Sequence, residues 1–443
     1  MERAVLAGVQ FALPTGTNGQ DPDKSAAAEW IDLDELERLA DTAGAKVVAR
    51  LEQRRLRPNV RSLLGKGKAD QLKHLVKSTH ADLVIFDNDL TPAQGRNLER
   101  LVGVRVLDRT ELILDIFARH ARTRQSRLQV SLAQHQYLLP RLARMWKHLE
   151  RQAGGIGTRG PGETQIETDR RLIRRRISHL TRELKEIDRN VQTQNKQRAK
   201  EYRVALVGYT NAGKSSIMNL LSGAGVYVQD QLFATLDATT RRIELHGGRH
   251  FLLTDTVGFL RKLPHHLVES FRATLGEVDE ADLLFHVVDA GADDLEAQIE
   301  AVEKVLENVC ADEADQIMVF NKIDTIQDES WMEYARLRWP NAVFTNALKG
   351  IGQEELLEAV GRRLVHKERD VVLAVERSHP RSLALLHEIG EVLAIDYEKN
   401  PTEVRLRIDQ RSYGLMAKLA GVRILEVTRH RRPKYEPKSP VAS

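Results

Sequence analysis

Eight consecutive residues, Gly208-Tyr209-Thr210-Asn211-Ala212-Gly213-Lys214-Ser215, have the types and spacing to hold a polyphosphate. Two glycines followed by Lys and Ser make the phosphate-loop pattern. The glycines let the backbone bend until several amide N–H groups face one anion, so the candidate contacts are Gly208, Asn211, Ala212, Gly213, Lys214, Ser215 and Ser216. Lys214 can reach the β- and γ-phosphates, and Ser215 can place a hydroxyl on Mg²⁺. The helix-like run from Ser216 to Leu221 adds its positive N-terminal end. Alone, this loop specifies only a nucleoside triphosphate.

Three downstream motifs narrow the chemistry. Asp255-Thr256-Val257-Gly258 follows an apolar run. Asp255 can hold Mg²⁺ through water, and the Gly258 amide can meet the γ-phosphate. Thr235, within Phe233-Ala234-Thr235-Leu236-Asp237, is suited to close on Mg²⁺; Thr239 and Thr240 are rival hydroxyls. Asn321-Lys322-Ile323-Asp324 ends a further apolar run. The Asp324 carboxylate can accept from both guanine N1–H and the exocyclic amine. Adenine lacks that donor pair and would leave the carboxylate unpaired, so Asp324 selects GTP. Each short motif alone could be an ordinary turn; four in this order could not. After Gly258, where many GTPases carry a water-orienting Gln, stands Phe259. Phe has no hydrogen-bonding group, so intrinsic hydrolysis is expected to be slow and to need a partner, another residue or the substrate.

The elements that must position these residues follow from pattern. The chain has 443 residues, 42% hydrophobic and 29% charged, with net charge +4 and one cysteine, Cys310. That excludes a disulfide framework or a Cys-rich metal site and suits a reducing compartment. No apolar run is long enough to span a bilayer, so no stable membrane insertion and a cytoplasmic location are expected. Before Arg122, strands are expected at Ala4–Phe11, Val47–Leu51, Ala81–Asp87 and Val104–Leu107, and helices at Asp32–Ala43, Ala69–Lys77 and Thr110–His120. Thr15–Ser25 and Gly65-Lys66-Gly67-Lys68 read as loops, the latter as a basic surface turn. From Tyr202, the runs Val204–Val207, His250–Thr254, Leu283–Asp289, Gln316–Phe320 and Ala342–Thr345 make a second strand set, with a hairpin turn at His246-Gly247-Gly248 and a closing helix at Glu354–Leu364. A third piece is expected as strand Val371–Val375, helix Arg381–Ile395 and strand Glu403–Ile408, then a basic tail.

Between the first two pieces, Leu128, Leu132, His135, Leu139, Leu142, Trp146 and Leu149 form one heptad seam, and Ile173, Ile177, Leu180, Leu184, Ile187 and Val191 another. They predict an antiparallel helical hairpin, kinked at Pro140, with Gly154–Glu163 as its tip. Arg159 lies in that tip, and Arg170, Arg171, Arg174, Arg175 and Arg176 follow. A charge run is usually a solvated face. Here the arginines are bunched beside a glycine-rich loop with few acids, which favours nucleic-acid phosphate contact. The fold expected is α/β: a P-loop GTPase domain with a doubly wound, mainly parallel sheet at 201–367, preceded by an α/β domain at 1–122 and the hairpin at 123–200, and followed by a small α/β domain at 368–443.

The flanks resemble the HflX family of ribosome-associated GTPases. The resemblance rests on Asp108-Arg109-Thr110 with Leu112 to Ala118, Leu128 to Leu142, Gly154 to Arg171 and Asp255 to Phe259. It implies an N-terminal nucleotide-associated domain, a hairpin that enters the large ribosomal subunit, and a function in splitting stalled or idle ribosomes under stress. It also implies ATP binding or hydrolysis by the N-terminal domain in some members. In related GTPases an Asn matching Asn211 coordinates K⁺; here Asn211 either does so or braces the loop. The family's last base-contacting segment usually reads Ser-Ala, and here it is Asn346-Ala347. The Ala347 amide can still contact the guanine carbonyl, while Asn346 alters the surroundings. The expected cofactors are therefore GTP/GDP and Mg²⁺, with K⁺ through Asn211. The expected partner is the large subunit and its rRNA, and the expected state a monomer. Two other readings stay open: an assembly GTPase acting on subunit precursors, and a regulatory GTPase whose hairpin binds protein.

Overall fold

A computed structural model of the chain describes residues 1–11, 33–145, 161–198, 201–223, 232–233, 235–245, 249–261, 272–309, 315–326, 329–376, 382–383, 385–386, 390–409, 416 and 419–429. In the N-terminal part, short apolar runs alternate with amphipathic ones. They form β1 (Glu2–Phe11), α1 (Leu33–Thr42), β2 (Ala45–Arg55), α2 (Lys66–Thr79), β3 (Leu83–Phe86), α3 (Pro92–Val102), β4 (Arg105–Asp108) and α4 (Arg109–His120). The strands make a parallel sheet in the order β2-β1-β3-β4. Side chains alternate across β1: Ala4 and Leu6 pack with α1 and α4, while Val5 and Ala7 pack with α2 and α3. Lys66 to Lys68, expected as loop, form the first turn of α2, with Gly65 at its N-cap. Helix α3 was not expected. It is started by a capping box between Thr91 and Gln94 and by Pro92 at the first turn.

The heptad seams form α5 (Arg124–Met145) and α6 (Pro161–Arg198). Leu128 and Leu132 pack against Ile177, Leu180 and Leu184, and Arg124 reaches Glu183 at 3.3 Å. Helix α5 runs on through Pro140. The tip was expected to extend to Glu163, but α6 begins at Pro161, where a missing N–H leaves no helical hydrogen bond unmade. Trp146, Leu149, Gly154 and Arg159 lie outside the described residues. The C-terminal half of α5 is fastened to the N-terminal part: the Tyr137 hydroxyl donates to Asp108 at 2.8 Å, and Arg141 donates to Asp108 at 2.9 Å and to the Leu90 carbonyl at 3.0 Å.

The second α/β piece contains β5 (Arg203–Gly208), α7 (Lys214–Ser222), β6 (Thr239–Glu244), β7 (His250–Asp255), α8 (Arg272–Asp279), β8 (Leu283–Asp289), α9 (Leu295–Val309), β9 (Gln316–Asn321), α10 (Glu329–Arg338), β10 (Val343–Phe344) and α11 (Gln353–Lys367). The sheet order is β10-β9-β8-β5-β7-β6, parallel except for β6 against β7. Order reverses at β5, so the loop leaving β5 lies at the switch point where such sheets bind ligands. The turn at residues 246–248 and Cys310 lie outside the described residues.

The last piece is an antiparallel sheet, β12-β13-β11-β14, of β11 (Glu368–Val375), β12 (Glu391–Asp396), β13 (Thr402–Asp409) and β14 (Val422–Arg429). The helix expected over Arg381–Ile395 is corrected at its C-terminal end, since Glu391–Asp396 is strand. Gly390 marks the change: a Cβ there would lie 2.6 Å from the Arg407 carbonyl oxygen, so glycine lets the chain approach β13. Strand β14 was not expected, and the tail after Arg429 lies outside the described residues.

Candidate functional site

The phosphate loop turns back on itself directly after β5. Gly208 has φ 151°, and a Cβ on it would lie 2.1 Å from the Val287 carbonyl oxygen. Asn211 is left-handed at φ 61° and exposed; Gly213 is left-handed at φ 95° and caps α7. A Cβ on Gly213 would lie 2.1 Å from the Asn321 amide nitrogen, so the guanine-side motif is packed against the phosphate loop. Asn321 Nδ2 also donates to the Ala212 carbonyl at 3.0 Å. Ser216 is buried on the first turn of α7.

Lys214 is buried and folds over the loop, donating to the Gly208 and Tyr209 carbonyls at 3.1 and 2.8 Å. Burial lowers its pKa to about 8, against the opposing pull of Asp255. Ser215, Thr235 and Asp255 come together: Ser215 Oγ lies 2.9 Å from Thr235 Oγ1 and donates to Asp255 Oδ2 at 2.6 Å. Of the three rival threonines, Thr235 is the one at this point. Thr239 begins β6, and the Thr240 hydroxyl pairs with Thr254 at 3.0 Å.

This oxygen cluster fits Mg²⁺. Two oxygens at the usual Mg–O distance and at right angles are about 2.9 Å apart, the spacing of Ser215 and Thr235. Asp255 Oδ1 is buried without a hydrogen-bond partner. Burial raises the Asp255 pKa, with Lys214 and the two hydroxyls opposing it. A buried carboxylate oxygen with no donor is what a cation-binding site leaves behind.

Gly258 lies against the loop. A Cβ there would be 2.8 Å from Thr210 Cα and 3.0 Å from Lys214 Nζ, so only glycine allows this approach. Phe259 exchanges backbone hydrogen bonds with the loop, Thr210 N to Phe259 O at 2.8 Å and Phe259 N to Gly208 O at 3.0 Å. The Phe259 ring is buried among apolar neighbours.

At the guanine end, Asn321 Oδ1 accepts from the Ala347 amide at 3.1 Å and the Thr345 hydroxyl at 3.2 Å. The Ala347 N–H, expected to face the base, is engaged there instead. Lys322 is left-handed at φ 60° and pairs with Asp289 at 2.7 Å. Asp324 is exposed on a short turn, and Lys349 sits on its carboxylate at 3.0 Å, which holds its pKa below the usual range. Asn346 is buried beside Asp324, and its side-chain amide adds to the lowering of the Asp324 pKa.

Sequence reasoning missed the groups that reach this site from the N-terminal part. The Tyr209 hydroxyl donates to Glu35 of α1 and accepts from the Arg261 amide at 3.0 Å. Arg109, at the start of α4, holds Glu35, Asp87 (2.7 Å) and the Arg261 carbonyl (3.2 Å). Burial opposes the Arg109 charge, but the two carboxylates outweigh it and raise its pKa. Phe233 has φ 58°, rare for an aromatic residue, and its ring meets Phe117 of α4 edge-on at 4.7 Å. Asp237 accepts from the Arg122 and Thr123 amides at 3.1 and 3.2 Å and from the Thr123 hydroxyl at 2.5 Å. One apolar cluster runs from Leu36 and Phe117 through Tyr209, Phe233 and Phe259. Single-motif reading has no signal for such contacts, although Asp108-Arg109-Thr110 had stood out as a family stretch.

On α6, Glu167, Arg170, Arg171, Arg174, Arg175, Ser178, His179 and Arg182 recur at helical spacing and form one face of the helix. Arg176 is exposed off that face.

Comparison with known proteins agrees with this architecture. Residues 31–118 match the family model described as "GTP-binding GTPase N-terminal", 120–198 "GTP-binding GTPase Middle Region", and 203–322 "50S ribosome-binding GTPase". The chain is 46% identical over 378 residues to GTPase HflX of Caldanaerobacter subterraneus, covering 85% of this chain and 87% of the relative. It is 46% identical over 366 residues to that of Escherichia coli K12, covering 82% and 83%. Among solved structures, SsGBP in complex with GDP covers 82% of this chain and 98% of its own, at 23% identity and TM-score 0.44. Among the described residues no helix is long and apolar enough to cross a membrane. On the strength of the sequence relatives, this chain belongs to the HflX family of GTPases.

Proposed function

We propose that the protein hydrolyses GTP when it docks on the large ribosomal subunit in the cytoplasm, and that the cycle serves to split or recycle ribosomes under stress. The observation that carries the GTP chemistry is the meeting of Ser215, Thr235 and Asp255 beside Lys214, with one Asp255 oxygen unpartnered. Ser215 and Thr235 would hold Mg²⁺ directly and Asp255 through water; the ion offsets phosphate charge. The Lys214 ammonium exchanges its loop carbonyls for β- and γ-phosphate oxygens. Amides from Asn211 to Ser216 face the phosphates from the N-terminus of α7. The Gly258 amide senses the third phosphate, and Asp324 reads the guanine edge. Asn211 would coordinate K⁺ beside the phosphates, the alternative role being to brace the loop.

Phe259 can orient no water, so the intrinsic rate is slow and the missing alignment comes with the partner. For that partner, the arginine-rich face of α6 supports RNA phosphate contact. The test is GTPase rate with and without purified large subunits, across a range of salt and K⁺. Stimulation that weakens with salt is expected; no stimulation under any condition refutes the reading.

A further inference from the structure

The loop carrying Thr235 is held on both flanks by elements outside its own domain. Two residues before Thr235, Phe233 is docked on Phe117 of α4. Two residues after it, Asp237 accepts three hydrogen bonds from Arg122 and Thr123. Those two residues are the root of the hairpin. Thr123 also starts α5, its hydroxyl accepting from the Ser126 amide at 3.1 Å. One carboxylate thus joins the loop that closes on the nucleotide to the first turn of α5, the arm packed against the arginine-bearing α6.

We propose that Asp237 couples closure of the Thr235 loop to the position of the hairpin, making the two one equilibrium. This deepens the GTPase reading above and rests on Thr235 being the closing residue. Three properties point to coupling rather than to simple packing. The Phe233 backbone is in the left-handed region at φ 58°, so the loop's conformation is imposed by what it docks on. Asp237 bonds two backbone amides, so it reads where the root lies and not merely whether a side chain is near. The contact is half-exposed, so it can break without leaving buried groups unpaired. If Thr235 closes when the third phosphate is bound, the root is held in this position. If the hairpin is displaced, Asp237 must release it or draw Thr235 away. Linkage makes the effect reciprocal: a ligand that fixes the hairpin here favours GTP by the same factor.

The test uses the full chain with Cys310→Ser and spin labels at Glu186→Cys on α6 and Glu358→Cys on α11, both exposed positions. Double electron–electron resonance distances are compared with GDP and with a non-hydrolysable GTP analogue. The unaltered coupling residue should give two distance distributions. Asp237→Ala should give the same distribution with either nucleotide, with GDP affinity within about threefold of the parent. Asp237→Asn, which keeps one acceptor, should retain a smaller shift. A nucleotide-dependent shift that survives Asp237→Ala overturns the proposal, as does its absence from the parent. No ribosome is present, so a failure to be stimulated by subunits is a separate result.

Discussion

Nucleotide affinity should fall with rising pH because of Lys214. In the free protein its ammonium is buried over two carbonyls, and its pKa is near 8. Bound phosphates favour the charged form, so the pKa rises in the complex. The sign follows: affinity is fully present below pH 8 and is lost as pH climbs through it, because the free protein must take up a proton to bind. At pH 7 about nine-tenths of the free lysine is charged, and at pH 9 about one-tenth. The apparent association constant should therefore drop about tenfold over that span, roughly 1.4 kcal/mol. Titration of GDP by calorimetry at pH 7, 8 and 9 measures it. Guanine itself begins to lose N1–H at the upper end, and Lys214→Arg is the control, since arginine keeps its charge throughout. The wild-type slope in excess of the Lys214→Arg slope belongs to Lys214. Parallel slopes for the two proteins would refute the reasoning.

Four further outcomes are expected. Gly208→Ala puts a Cβ 2.1 Å from the Val287 oxygen; overpacking of this kind costs about 1–3 kcal/mol or more, and thermal unfolding together with GDP titration should show both stability and binding reduced. Tyr209→Phe removes the hydroxyl that joins Glu35 to the Arg261 amide, so urea unfolding should register a loss of about 1–3 kcal/mol. Replacing Arg174 and Arg175 by Glu should weaken co-sedimentation with large subunits and flatten its salt dependence, while GDP affinity stays unchanged. His286 is buried and its pKa is lowered to about 4, first by burial and then by Lys214; its stabilisation is present above pH 6.5 and lost as pH falls towards 4, by up to about 3 kcal/mol, and stability of wild type against His286→Gln at pH 7 and 5 measures the difference.

Much of the nucleotide site could be read in advance because its motifs are short and local. Gly208 to Ser215 is one turn and one helix start, and Asp255 and Asn321 end strands whose apolar runs are plain. Register along a strand then determines which residues emerge at its carboxyl end. The choice among Thr235, Thr239 and Thr240 could not be made that way. It depends on where β6 begins, and its pairing with β7 takes Thr239 and Thr240 into the sheet. The third piece was misread for a similar reason. Glu391 to Asp396 is amphipathic enough to extend a helix, and only antiparallel pairing with β13 across the turn at 397–401 makes it strand. Lys66 to Lys68 erred the other way, because glycine at position 67 suggested a loop where the helix tolerates it.

The least predictable part of the site is its attachment to the rest of the chain, and that attachment is polar. Asp108 and Arg109 are neighbours in sequence with different partners. Asp108 takes Tyr137 and Arg141 from the hairpin, while Arg109 takes Glu35, Asp87 and the carbonyl of Arg261. Apolar burial alone would let these surfaces slide, since it is nearly non-directional. Hydrogen bonds to buried charges do not slide. Loss of one partner would leave Glu35 or Asp87 charged and poorly paired in the interior, at a cost of about 3–5 kcal/mol. The α4 start therefore sets the C-terminal half of α5 on one side and the phosphate loop on the other with directional contacts. Its geometry makes the N-terminal part a structural member of the nucleotide site, although none of the four nucleotide motifs lies within it.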